Sequence, residues 1–484
     1  MAAPSATAAA LHCNGILIAI VQCIASSCEV VAFLDVLPHS VLGKPLRALH
    51  ALLSRPGPSL YEWPKPSFLG LVGDEEALLH AALHVYEAIG VYNVHGFGPK
   101  FATVYDTAPF CAFASTWAHK ITLMDMSIST EPLDEAVCHA LRQCTRLREV
   151  WLDVSPMTTL LFQAVTTPAH RVRKMHVQSF RDEAFDWTPL LTSWLATGHA
   201  NHLSVSEITP PNDDLARAIA STLSLRGHEL YGCDDFVQQL FSLGQPLRHL
   251  THVRLQTDVP AHIATLLQRV DVRRLESLML ASRVPLDPLV QYLHAAPLLE
   301  ELDLCRCSLT TTNEHVVGTW PRLRIARFDD VGFRADVFKD VLVHLSTSDR
   351  LEHVSFTDCH IVRTEMAAMS AELRVWIENG LRSLTLRGNI LDDACVALIA
   401  QVLGETENTA PLTQELTEND YTISCVWGML AALANSTCVN VVMDLEEDIS
   451  ERDMDMIAKV AASYGIKAVL TECHLEMYSS FAIA

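Results

Sequence analysis

No two of the fourteen cysteines stand in a CxxC spacing. Zinc ribbons and fingers hold their metal through paired ligands at fixed short spacing, so that class of site is excluded. The chain is also far longer than a disulfide-stapled module, and scattered reduced thiols point to a cytoplasmic, or nuclear, setting. Basic residues are few: 35 Lys and Arg face 57 Asp and Glu, a formal net charge of −22. Such a field repels polyanions, which argues against nucleic acid or an anionic membrane as partner. Catalytic signatures are missing too. There is no GxxxxGK[ST] phosphate loop, no HExxH pair and no GxSxG elbow. The glycines of HGFGPK (95–100) lack the dinucleotide fingerprint and read as a turn. No enzyme activity, cofactor or metal is expected. Residues 15–37 are strongly apolar, but no Lys or Arg precedes them, as a signal peptide requires. A membrane span there would bury Gln22, Glu29 and Asp35, so a pair of amphipathic helices is the simpler reading.

What the chain does have is apolar content, 50% of its 484 residues, and a recurring spacing. Residues 298–309 read LLEELDLCRCSL. Leu299, Leu302, Leu304, Cys307 and Leu309 make the pattern LxxLxLxxCxL, and Leu381, Leu384, Leu386, Asn389 and Leu391 repeat it. Leu351 and Leu147 open two further copies, and weaker ones fill the gaps from Ile89 to Gly465. The mean period is about 27 residues, inside the leucine-rich-repeat range. In each unit the LxL part predicts a short strand with alternate side chains inward. The ninth position turns the chain, where Asn or Cys bonds to neighbouring backbone. Helices are predicted over 335–346, 392–403 and 450–465, the last closed by Gly465. A unit of this kind cannot bury its apolar face alone, so neighbours stack. The expected fold is α/β: a leucine-rich-repeat solenoid, a horseshoe with a parallel inner sheet and outer helices, behind a small helical domain.

Cys307, Cys233, Cys359 and Cys473 fall at the ninth position and are assigned a structural role. Cys305, at the seventh, is placed on the concave face, while Cys138, Cys144, Cys395 and Cys425 are placed in helices as small core residues.

The first ninety residues lack the repeat. They predict helices over 16–26, 28–37 and 45–54, a proline-rich tether over 54–68, and a capping helix over 74–90. Leu17, Ile20 and Ile24 line one face of the first helix, and Val31, Leu34 and Leu37 one face of the second. The stretch GILIAIVQCIASSCEVVAFLDVLPHSVLGKPLRALHALL, followed by EWPKP around Trp63, resembles a divergent F-box over residues 13–66. Cys13-Asn14 stands where the family opens with Leu-Pro, and the family's late Trp in the third helix is absent. The resemblance implies that those six apolar residues dock a Skp-type adaptor of a cullin ubiquitin ligase, while the repeats hold a target protein. The plainer alternative is a helical cap on a standalone binding scaffold, receptor or inhibitor. The domains are then 13–66 (F-box-like), 67–88 (connecting and capping helix) and 89–484 (repeats).

In a solenoid the fifth repeat position forms a column on the concave face. It runs from Asn93 and Thr122 through Trp151, His176, Ser204, Glu229, Arg254, Met279, Asp303 and Arg327 to Val442 and Val469. Trp and Arg are the types that most often anchor interfaces. The expected partner-binding residues are Trp151, His176, Arg254, Asp303, Arg327, Asp330 and His353. Charges are mixed along this face: Asp303, Asp329, Asp330 and Asp358 stand near Arg324, Arg382 and Arg387. That mixture points to a protein or peptide partner.

Overall fold

The computed structural model describes residues 14–55, 63–66, 74–92, 107–126, 135–153, 158–178, 186–207, 213–286, 293, 296–310, 319–445, 449–470 and 474–479. HGFGPK and Cys473 lie outside them. The chain forms two compact units, Met1–Leu225 and Arg226–Ala484.

The first unit opens with α1 (Asn14–Gln22), α2 (Ser27–Asp35), α3 (Lys44–Leu53) and α4 (Glu75–Ala82). Strand and helix then alternate: β1 (Ile89–Tyr92), α5 (Ala108–Trp117), β2 (Ile121–Met126), α6 (Glu135–Arg142), β3 (Glu149–Asp153), α7 (Thr159–Val165), β4 (Lys174–Gln178), α8 (Thr188–Leu195), β5 (His202–Ser206) and α9 (Asp213–Ser221). The strands pair in sequence order, all parallel.

In the second unit the same rhythm continues. It runs through β6 (Gly227–Tyr231), α10 (Asp234–Ser242), β7 (His252–Gln256), α11 (Pro260–Arg269), β8 (Ser277–Ala281), β9 (Glu301–Cys305), β10 (Ser308–Leu309), β11 (Ile325–Asp329), β12 (Gly332–Phe333), α12 (Ala335–Leu345), β13 (His353–Thr357) and α13 (Arg363–Glu378). It closes with β14 (Ser383–Thr385), α14 (Asp393–Glu405), β15 (Leu412–Glu415), α15 (Ser424–Leu433), β16 (Val439–Asp444), α16 (Glu451–Ser463), β17 (Lys467–Leu470) and β18 (His474–Tyr478). The pairing order is β6-β7-β8-β9-β11-β13-β14-β15-β16-β18-β17, with β10 and β12 in a separate small ladder. Each unit is a leucine-rich-repeat solenoid, as the spacing predicts.

The repeat positions explain the packing. Leu299, Leu302, Leu304, Cys307 and Leu309 are all buried, whereas Glu301, Asp303 and Cys305 are partly exposed. Burying one leucine contributes about 2 kcal/mol, and each unit repeats the gain. Phe328 stacks on Phe356 with ring centroids 4.8 Å apart, and Phe333 and Phe338 meet Phe356 edge-on. The α12 stripe of Val337, Phe338, Val341, Leu342 and Leu345 is buried as its period requires. Asp392 caps α14 by accepting from Cys395 N–H at 2.8 Å, and Ser450 caps α16 by accepting from Asp453 N–H at 3.1 Å.

The ninth position ties neighbouring turns together. Asn389 Oδ1 accepts from the N–H groups of Cys359 and Ile361, both at 3.2 Å, while its Nδ2 donates to Phe356 O at 2.8 Å. Cys359 Sγ lies 3.3 Å from Phe328 O. Burial pushes the thiols of Cys307 and Cys359 up to about 12. The residue before the ninth position adopts the left-handed conformation at Arg306, Asp330, Asp358, Gly388 and Glu418. At Gly388 a Cβ would meet the exposed Asp358 carboxylate, which would have to move aside, and glycine takes the left-handed conformation at least cost.

Three expectations are corrected. The capping helix predicted over 74–90 stops at Ala82. Lys120 Nζ donates to the carbonyls of Leu83, His84 and Tyr86 at 3.1, 3.0 and 2.8 Å, which fixes a turn in place of the last helical turns. Tyr92 and Asp125 stand in register with Trp151, so Thr122 is not in the row, and Asn93 lies outside the described residues. A register shift at Ile89/Gly90 moves the first strand, and Ile121, Met124 and Met126 supply the buried positions of the second. Last, Val442 and Val469 are not neighbours. β18 lies between β16 and β17, antiparallel to both, and Glu476 pairs with each valine.

Candidate functional site

In the second unit, parallel register sets Glu229, Arg254, Met279, Asp303, Arg327, Ser355, Thr385 and Glu415 side by side on the helix-free face. Alternation along each strand turns these side chains away from the core. Arg254 Nε lies 3.4 Å from Glu229 Oε1, and Tyr231 Oη donates to Glu229 Oε2 at 3.4 Å. Tyr231 Oη also lies 4.0 Å from Met279 Sδ. Burial pulls Arg254 down, but Glu229, Tyr231 and Asp303 more than offset this and hold its guanidinium above the ordinary value. Asp303 is held above the usual carboxylate range by burial, against the pull of Arg327 and Arg254. The expected adjacency of Asp303 and Arg327 is present in the register.

Two partner-binding candidates flank this row. His353 begins β13, is exposed, and pairs in register with Ile325 and Ser383. Burial holds its imidazole below the ordinary value; Glu352 opposes this, and Arg327, Arg324 and Arg382 reinforce it. Asp330 is exposed but follows β11 in the left-handed turn, so it belongs to the rim and not to the strand row. Cys305, two residues after Asp303, lies 3.3 Å from Asp329 Oδ2, and burial together with that carboxylate raises its thiol to about 11. It is a poor nucleophile at neutral pH.

In the first unit, Trp151 and His176 are neighbours across β3 and β4. The indole lies flat on the imidazole, with centroids 3.7 Å apart and planes 7° from parallel. Trp151 Nε1 donates to Glu149 Oε1 at 3.1 Å, and His176 is buried. The Trp is therefore half covered, and the strand neighbour His176 supplies part of that cover. Ser204 follows His176 in the register, and His202, two residues earlier on β5, has its ring 5.5 Å from that of His176. Neither unit by itself brings three His, Cys, Asp or Glu ligand atoms together among the described residues.

The adaptor candidates separate into two groups. Leu17 and Leu34 are fully buried among the N-terminal helices, and Ile24, Val31 and Leu37 are half-buried. Ile20 is 40% exposed, and two further apolar residues of the N-terminal helical region are exposed, Ile16 at 46% and Val36 at 77%. Trp63 Nε1 donates to Ile24 O at 2.7 Å and its ring meets Tyr86 at 5.3 Å; Gln22 Nε2 donates to Val85 O at 2.7 Å. These bonds seat the helices on the start of the repeats.

Sequence reasoning placed Glu229 and Cys305 on this face without choosing them as binding residues, and passed over Tyr231 and Glu149. The signal was available in the repeat frame, since the third, fifth and seventh positions of every strand share one face.

No family model matches the chain, and no curated protein matches it. Among the helices of the described residues, none is long and apolar enough to cross a membrane. Among solved structures, the chain is similar to the crystal structure of the Rad7 and Elc1 complex in yeast, at 15% identity and a TM-score of 0.42, over 72% of this chain and 86% of that one.

Proposed function

We propose that the chain is a non-catalytic binding subunit whose second-unit strand face holds a target protein. The observation that carries this is the in-register row Glu229, Arg254, Met279, Asp303 and Arg327. A parallel ladder fixes their spacing at about 4.8 Å, so two arginines, two carboxylates and a thioether are presented without loop entropy to lose. Such a mixed surface recognises a peptide or protein, and Arg254 and Arg327 are its anchors.

The N-terminal helices dock a Skp-type adaptor, which makes the chain the target-recognition subunit of a cullin-type ubiquitin ligase. The exposed group of Ile16, Ile20 and Val36 supports this reading. Free thiols at Cys23, Cys28, Cys144, Cys305, Cys307, Cys359, Cys395 and Cys425 fit a reducing compartment, cytoplasmic or nuclear. The test is co-purification of the full chain with a recombinant Skp-type adaptor. A stable complex that Ile20→Asp and Val36→Asp together abolish is expected; no complex with the unaltered chain would overturn the adaptor role.

A second reading keeps the strand face but makes α1–α3 a cap on a standalone scaffold. It is favoured by Leu17, Leu34, Leu46 and Leu49, all buried within the N-terminal helices. Retained target binding without any adaptor complex would decide for it.

A further inference from the structure

We propose that the strand-start rim of the first unit docks an acidic, carboxylate-rich segment of a protein partner. This goes beyond the reading above and holds whether or not the helices dock an adaptor.

Arg142 ends α6, Arg146 and Arg148 lead into β3, and Arg171, Arg173 and Lys174 lead into and start β4. Parallel pairing sets the last two groups side by side, because the N–H groups of Arg173 and Lys174 both donate to Arg148 O, at 2.7 and 2.9 Å. Arg142, Arg146, Arg171, Arg173 and Lys174 are exposed, and Arg148 is half-buried. Lys174 has Glu149 at 3.8 Å. Among the described residues, the five guanidinium groups have no carboxylate at ion-pair distance. Arg146 donates to His119 O at 3.3 Å and Arg148 to Leu147 O at 3.2 Å, each leaving most of its five N–H donors unused.

The second unit shows the self-sufficient solution at the equivalent place. There Arg324, leading into β11, meets Glu352, leading into β13, at 2.7 Å. In the first unit Arg148 meets Arg173 instead. Burial, Arg173, Arg171 and Arg146 together hold Arg148 below its ordinary value, which agrees with crowding by like charge. Like charges opposed across adjacent strands are destabilising, so their counter-charge comes from outside. In a chain of net charge −22 a long polyanion is repelled at distances where a short peptide is not. The cations are arrayed along two loops and do not converge on one buried point. That suits several carboxylates of an extended segment better than one phosphate dianion.

The experiment titrates the full chain with a fluorescent Glu-rich peptide. Single-stranded DNA, a singly phosphorylated peptide and a Lys-rich peptide are the comparators. The Glu-rich peptide should bind best, with affinity that falls as salt rises. Arg171→Glu with Arg173→Glu should weaken binding about tenfold or more, while Arg171→Lys with Arg173→Lys retains most of it and Arg322→Glu, in the other unit, changes nothing. Circular dichroism confirms that the variants are folded, and both altered residues are exposed. Absence of binding, indifference to the double charge reversal, or tighter binding of DNA or phosphopeptide would overturn the proposal. So would a change of oligomeric state in the reversed variant by sedimentation, which would make a second copy the occupant.

Discussion

The side-chain amide of Asn389 reaches the backbone of Cys359 in the preceding repeat, accepting its N–H at 3.2 Å, and takes the N–H of Ile361 with the same oxygen. Both residues are buried, so no water replaces the amide. Asn389→Ala should therefore destabilise the chain by about 2–4 kcal/mol, the cost of orphaned buried donors. Urea denaturation measures it. A loss within error of zero would mean that the ninth-position ladder is not what joins the repeats.

Thiol reactivity should follow burial and not the CxC spacing. Cys23 and Cys28 are exposed and should label first with an alkylating reagent. Cys305, raised to about 11, should react slowly, with a rate that keeps climbing past the pH where ordinary thiols level off. Cys307 and Cys359, at about 12 and buried, should label only on unfolding. Mass spectrometry of a labelling time course reads all five; early modification of Cys307 would contradict the packing described.

Asp303 gives the second unit a pH dependence of definite sign. Its folded-state pKa is raised, so between the unfolded and folded values the unfolded chain has already lost a proton that the folded chain keeps. Stability from this group is full below the ordinary carboxylate range and falls as pH rises through the raised value. Asp303→Asn should then raise the melting temperature at neutral pH, with the advantage shrinking as pH drops toward about 3. Thermal melts of both proteins across that range test it. A variant less stable at neutral pH would show that attraction from Arg254 and Arg327 outweighs the burial cost.

Lys120 is the pin of the first strand, since one ammonium satisfies three carbonyls. Lys120→Met keeps the aliphatic stem but strands those carbonyls, at a cost of roughly 1–3 kcal/mol. Hydrogen exchange should show faster opening of 89–92 than of 149–153. Equal protection of the two strands in the variant would refute the role.

How much of this was legible depended on which residues wore the pattern. From Leu147 to Glu415 leucines, or their valine and phenylalanine equivalents, sit on the frame, and the register follows it from Trp151 to Ser204 in the first unit and from Glu229 to Glu415 in the second. The frame slipped at β2 because Ile121 and Leu123 offer one phase and Met124 and Met126 the other, so apolar spacing alone allowed both. It slipped at the far end because the segment from Gly465 has the spacing of another repeat, while the reversed β18 that separates β17 from β16 is set by pairing, which spacing does not encode. At the N-terminus the helices were readable to within a few residues, yet which face is covered was not. The alternatives Leu17 and Ile20 lie one turn apart and differ only in what the rest of the chain lays over them. Site membership was partly visible: Arg254, Asp303 and Arg327 stand in the row, but the Glu229–Tyr231 contacts needed the third dimension.

The reversed strand β18 has a kinetic consequence. β16 and β17 run the same way but leave a slot one strand wide between them, about 9–10 Å from axis to axis. Neither can close that distance alone, so a chain cut after Leu470 would keep two raw edges instead of healing into a shorter sheet. A sheet assembled by adding each new strand to the last one made would stop at β16, because the last strand in sequence supplies the hydrogen bonds between β16 and β17.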